Sequence, residues 1–185
     1  TDKNTCACEP ITQKVTMTPK PSISKDITPS TIVCSGTDVK MSASAEQGVS
    51  IQWEGLAMGY LDNNKKLTNN NSYAIQDTFR VTAVTTNGCV NTDSFIVTIN
   101  PLPSFTAEDV NVCYNSDAKL EVSPVDNNMT YLWEGENITN GNSSNVTVND
   151  VKTDANYKIT VTSNTNCKKD TTIKVIVSNN PIVNI

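Results

Sequence analysis

Two stretches of this 185-residue chain are imperfect copies of each other, and that internal period constrains the fold more than any single motif. The first runs Val33-Cys34, a turn, Val39-Lys40-Met41, then Gln52-Trp53-Glu54-Gly55, then Phe79-Arg80-Val81-Thr82 leading to Cys89. The second runs Val112-Cys113, a turn, Ala118-Lys119-Leu120, then Leu132-Trp133-Glu134-Gly135, then Tyr157-Lys158-Ile159-Thr160 leading to Cys167. The copies lie roughly 79 residues apart, and a fixed period of this kind signals an array of stacked units. Residues that recur in every unit usually build the unit.

Within each copy, apolar and polar residues alternate as they do along half-buried strands. Phe79, Val81 and Ala83 fall on one face and Arg80, Thr82 and Val84 on the other. Tyr157, Ile159 and Val161 alternate with Lys158, Thr160 and Thr162, and Phe95-Val97-Ile99 and Ile173-Val175-Val177 repeat the pattern. Val, Ile and Thr suit a pleated surface, and the Asn, Gly, Asp and Ser clusters between the runs suit turns. Asn87-Gly88 is the clearest hairpin signal, with Ser163 to Cys167 as its counterpart. The reading is all-β: two tandem immunoglobulin-like β-sandwich domains, with Trp53, Trp133, Phe79 and Tyr157 as structural core. The expected boundaries are 23–102 for the first unit and 103–185 for the second. Pro101-Leu102-Pro103 forms a short, stiff junction, because proline fixes φ and restricts the residue before it. Residues 1–22 mirror the segment from Cys89 to Pro103, so they read as the last strand of a preceding unit plus its linker. On that reading the chain is a piece of a longer array whose signal sequence and attachment signal lie elsewhere.

Units of about 80 residues bury a modest fraction of their surface and call for extra fastening. Six cysteines can supply it. They are widely spaced and there is no histidine, which argues against zinc and for disulfides in an oxidising, extracellular setting. The net charge of −5 speaks against a nucleic-acid partner, which would need clustered Lys and Arg. No apolar run approaches the length of a membrane span, so membrane insertion is not expected in this segment.

The pattern V-C-x-x-x-D-x-K, W-E-G, then F/Y-x-V/I-T ending in Cys, with a closing N-P-x-P, resembles the Ig-like and PKD-like repeats of Bacteroidota surface proteins. Such repeats form stalks of large secreted adhesins and enzymes, commonly exported by the type IX system. The resemblance covers most of residues 23–185. It implies a cell-surface location and neighbouring Ig-like repeats of the same chain as partners. The W-D-F-G-D-G turn of PKD repeats is absent, since Trp53 and Trp133 are followed by Glu-Gly, which favours the plain Ig-like variant. Asp170-Thr171-Thr172 resembles the short O-glycosylation motif of the same group.

No combination of residues points to catalysis. Without histidine, Ser-His and Cys-His nucleophiles are excluded, and Gly-rich phosphate loops are missing. Glu54 and Glu134 sit one per unit rather than as a pair flanking one bond. Asp62-Asn63-Asn64 and Asp126-Asn127-Asn128 offer oxygens to Ca2+ but lack the spaced series of a dedicated loop, so no cofactor is expected. Five N-x-S/T sequons, at Asn70, Asn128, Asn137, Asn142 and Asn145, are what chance supplies at this Asn, Ser and Thr content. The polar stretches 62–71 and 137–145 read as exposed loops, and Tyr60 and Tyr73 beside the first form a possible ligand loop for a surface glycan or protein.

The cysteines leave two pairings open. Cys34 with Cys89, and Cys113 with Cys167, would close loops of nearly equal length within each unit. In standard Ig topology, however, the turn before the second strand and the turn between the last two strands lie at opposite ends of the sandwich. A strand of about seven residues spans over 20 Å, whereas bridged Cα atoms lie within about 7 Å. Head-to-tail stacking instead brings Cys34 to Cys167 and leaves Cys89 and Cys113 to units outside this piece. Cys6 and Cys8 are too close for an ordinary bridge to each other, so at least one should look to a neighbour. The function expected is a non-catalytic stalk or spacer of a surface adhesin; the alternatives are a glycan- or protein-binding module and an accessory domain of a secreted enzyme.

Overall fold

A computed structural model describes residues 11–28, 30–55, 59–60 and 64–178. Every regular element among them is a strand. The first eight are β1 (Ser24–Thr28), β2 (Ile32–Cys34), β3 (Thr37–Ser44), β4 (Val49–Gly55), β5 (Gly59–Tyr60), β6 (Asn64–Leu67), β7 (Ile75–Thr85) and β8 (Val90–Asn100). They form a three-stranded sheet, β1-β3-β6, and a five-stranded sheet, β2-β8-β7-β4-β5. The opening segment changes sheets: β1 pairs antiparallel with β3, and β2 then crosses to run parallel with β8.

The second set is β9 (Val110–Cys113), β10 (Ser116–Glu121), β11 (Thr130–Glu134), β12 (Asn145–Val151), β13 (Ala155–Thr162) and β14 (Lys168–Ser178). It repeats the plan, with sheets β10-β12 and β11-β13-β14-β9 and β9 parallel to β14. A single bridge, Thr106↔Ser123, stands where β1 ladders on β3 in the first set. The chain is thus two immunoglobulin-like β-sandwiches in tandem.

Each sandwich has its own core, built by the period-2 alternation. Phe79, Val81 and Ala83 of β7 are fully buried, and Val97 and Ile99 of β8 join them with Trp53 of β4 and Val39 and Met41 of β3. The second core takes Tyr157, Ile159 and Val161 of β13, Ile173 and Val175 of β14, Trp133 of β11 and Leu120 of β10. The W-E-G motif has a steric meaning in the second sandwich. A Cβ on Gly135 would be driven into the Tyr157 ring, 2.8 Å from Cε1, so the glycine is the surface on which that aromatic lies. In the first sandwich the corresponding Gly55 and Phe79 are register partners across β4 and β7.

One stretch differs from the sequence reading, and another stands outside both sandwiches. Residues 11–23 carry no strand ladder, and Ile11, Val15 and Met17 stand 97%, 80% and 87% exposed. A strand exists only where a neighbour takes its hydrogen bonds, and neither sandwich offers these residues one. The polar stretch 62–71 is not simply an exposed loop: within it β6 pairs with β3, Leu67 is fully buried and Asn69 is 6% exposed. Leu67 fills a core position from a strand whose other residues are polar, so alternation alone did not reveal it.

Candidate functional site

The site with a chemical feature of its own is the junction of the two sandwiches. β2 places Cys34 at its end, half-buried and just before a tight turn. The Ser35 N–H donates to Asn100 O at 2.8 Å and the Gly36 N–H to Leu67 O at 2.7 Å, with Gly36 at φ 86°. Glycine adopts that left-handed conformation without a Cβ penalty. Asn69 braces the same end. Its N–H donates to Ser35 Oγ, and its side-chain amide donates to Tyr73 O and Ile99 O, each at 2.8 Å. Its Oδ1 accepts from the Asn71 N–H at 2.9 Å, so this buried amide is well satisfied.

From the second sandwich the β13–β14 hairpin supplies Cys167, which is fully buried. The Ser163 N–H donates to Cys167 O at 2.9 Å and the Asn166 N–H to Ser163 O at 3.0 Å. Asn166 takes the left-handed position of the turn, at φ 61°, where Gly88 stands in the first sandwich at φ 79°. Cys34 and Cys167 form a disulfide with Cα atoms 5.5 Å apart across a sequence separation of 133. It lies beside the Pro101-Leu102-Pro103 linker, of which Pro103 is buried. The Lys169 ammonium sits 5.2 Å from the centre of the Phe105 ring, a cation–π contact at the same junction.

Between the Asn69–Ala74 segment, the linker and the Ser163–Thr165 turn lies a cleft of about 750 Å³. Tyr73, 65% exposed, is on its wall, as are Asp126 and Asn128. Asp126 is committed to local structure: its Oδ1 accepts from the Asn128 N–H, while its backbone N–H and C=O exchange hydrogen bonds with the Tyr131 hydroxyl. No group of three metal-ligating side chains occurs among the described residues, and Asp62 lies outside them. Tyr60 is placed by its backbone, opposite Glu54 in β5 at the edge of the five-stranded sheet.

Trp53 and Trp133 are buried, at 8% and 3% exposure, and the Trp133 indole N–H donates to Ser143 O at 3.1 Å. Neither presents a flat ring to solvent. Glu54 and Glu134 are exposed on separate sheets. Cys89 and Cys113 are free thiols, half-buried and exposed respectively; Cys6 and Cys8 lie outside the described residues. What the sequence did not single out is Asn69. Its signal was present only as one Asn in a run of three, among many polar neighbours.

No family model and no curated protein matches the chain. Similar solved structures include the N-terminal eight Ig domains of Down Syndrome Cell Adhesion Molecule, at 13% identity over 86% of this chain and 25% of that one, with a TM-score of 0.42. A SusE-like surface located polysaccharide binding protein from the Bacteroides thetaiotaomicron heparin utilisation locus is similar at 15% identity, 84% and 34% coverage and a TM-score of 0.42. A Bacteroides ovatus protein of the mixed-linkage glucan utilization locus is similar at 14% identity, 86% and 48% coverage and a TM-score of 0.33. The chain spans between a quarter and about half of these three proteins.

Proposed function

We propose that the chain is a non-catalytic spacer of an extracellular surface protein, in which tandem sandwiches hold a binding region away from the cell. The observation that carries this reading is the Cys34–Cys167 disulfide, which ties the turn before β3 to the β13–β14 hairpin across the proline linker. Tension applied along the chain enters at Cys34 and leaves at Cys167, so the backbone between them is bypassed. Fully extended, that backbone would measure on the order of 450 Å, at roughly 3.3–3.6 Å per residue. The bond hides this length from the applied force. A proline linker limits bending, and closed sandwiches deny proteases the local opening they need.

The reading is tested by pulling single molecules from their two ends. Under non-reducing conditions the traces should lack any release of length from within the 34–167 loop, and reductant should make that release appear. Stepwise unfolding of two separate units of about 80 residues before reduction would overturn it. A second reading, that the junction cleft binds a glycan or peptide, rests on the exposed Tyr73 ring on its wall. Loss of binding to a surface-glycan panel in Tyr73→Ala, with unchanged thermal stability, is the result that would favour it.

A further inference from the structure

We infer that Cys113 and Cys89 are the two open halves of the Cys34–Cys167 connector, each shaped to take the complementary turn cysteine of another sandwich of this kind. The inference rests on the spacer reading and extends it from one clamp to a head-to-tail ladder.

The two kinds of cysteine turn are equivalent in geometry, residue by residue, in the two sandwiches. Cys34 pairs in parallel register with Asn100, and Cys113 with Ser178. After Cys34, Ser35 N–H bonds Asn100 O and Gly36 N–H bonds Leu67 O; after Cys113, Tyr114 N–H bonds Ser178 O at 2.9 Å and Asn115 N–H bonds Val151 O at 2.8 Å. Gly36 and Asn115 both take positive φ, 86° and 63°. The hairpin cysteines match as closely. Thr85 N–H bonds Cys89 O at 2.9 Å, as Ser163 N–H bonds Cys167 O. The Cys89 N–H returns to Thr85 Oγ1 at 3.0 Å, and the Cys167 N–H to Ser163 Oγ at 3.2 Å. Each free thiol therefore stands on a turn whose counterpart in the same chain is already bonded.

At the closed junction the Pro101-Leu102-Pro103 linker and the Ser163–Thr165 turn line one cleft. The segment before the first sandwich also lies against the Cys89 hairpin. Asn91 Nδ2 donates to Pro21 O at 2.8 Å, and the Cys89 thiol lies 3.8 Å from Thr18 O. The Cys89 side thus has its share of a junction already assembled, and Cys113, exposed at the far end of the second sandwich, is the other share.

The two halves are complementary rather than identical, so the contact is heterologous and propagates instead of closing on itself. A second copy of this chain carries both halves and serves as the partner. The chemistry is thiol–disulfide exchange with a small-molecule disulfide. The Cys113 thiolate displaces one glutathione thiolate from oxidised glutathione, giving a mixed disulfide. The Cys89 thiolate of the second copy then attacks the Cys113 sulfur and releases the other glutathione thiolate. Two protein thiols become one disulfide as one oxidised glutathione becomes two reduced ones.

The test is to equilibrate the full chain, carrying Cys6→Ser and Cys8→Ser to remove competing thiols, in a glutathione redox buffer at rising protein concentration. Linked peptides are then mapped without reduction. Random pairing makes mixed and symmetric links equally common. The proposal expects intermolecular Cys89–Cys113 links several-fold in excess of Cys89–Cys89 and Cys113–Cys113 together, with a ladder of oligomers that stops at the monomer in Cys89→Ser or Cys113→Ser. Symmetric links at their random share, Cys89–Cys113 links within one molecule, or no links at all would overturn it. An intact Cys34–Cys167 peptide in the same digest leaves the spacer reading standing whichever way this result falls.

Discussion

In the second sandwich Phe105 and Tyr131 are sunk into the core, at 8% and 9% exposure, whereas the first has Ile23 and Ile51 at the corresponding places, each only partly buried. The Tyr131 hydroxyl also ties down the turn before β11 through the Asp126 backbone. The first sandwich closes the same end by other means. Its β1 ladders on β3 over five residue pairs, and the Lys25 ammonium donates to Asp93 Oδ1 at 2.6 Å. Aromatic burial in one unit thus stands in for strand pairing and a charged contact in the other. The residues common to both, Trp53 and Trp133 or Phe79 and Tyr157, mark what the fold requires. Those that differ show how loosely it specifies the rest.

The largest effect expected is from removing the bond that joins the two. In the chain-entropy account, closing a loop of this length stabilises by on the order of 4–5 kcal/mol, so Cys167→Ser should lower the denaturant midpoint substantially. Next comes the aromatic plug. Phe105→Ala should cost about 3–5 kcal/mol in the second sandwich's transition, and Ile23→Ala clearly less in the first; equal losses would erase the contrast drawn between them. Smaller again is Gly135→Ala, which forces a methyl against Tyr157 and should destabilise by about 1–3 kcal/mol. Pairing it with Tyr157→Leu should recover part of that loss if the ring is the obstacle, a difference that a double-mutant cycle resolves.

The smallest effect is electrostatic. The Ser22 hydroxyl holds the Glu46 carboxyl below its ordinary range, the Lys25 ammonium does the same for Asp93, and the Val177 N–H, with Lys174, for Asp154. A carboxylate whose folded pKa is depressed contributes stability above its unfolded pKa, near 4, and loses it as pH falls through the folded value. All three are solvent-exposed, so the contribution is slight and weakened by salt. Asp93→Asn should flatten the loss of the first sandwich's stability below about pH 4, and Asp154→Asn that of the second. A change in the other sandwich's acid transition would contradict the assignment.

Much of this architecture was legible in the sequence because its signals are local. Alternation at Phe79-Val81-Ala83 and Tyr157-Ile159-Val161 gave strands, Asn87-Gly88 gave a hairpin, and the 79-residue spacing from Cys34 to Cys113 gave the tandem. What escaped were features set by non-local partners. β6 hides its one core residue, Leu67, among Asn and Lys, and only its pairing with β3 makes it a strand. Between the two cysteine pairings the sequence could supply only an argument about strand length, because a disulfide depends on where two turns meet in space.

The central claim is that the sandwiches are clamped to each other rather than closed one by one. Proteolysis under non-reducing, thiol-blocked conditions followed by mass spectrometry of the linked peptides tests it most directly. The account predicts a peptide joining Cys34 to Cys167. Peptides joining Cys34 to Cys89 and Cys113 to Cys167 would contradict it and leave two independently sealed units.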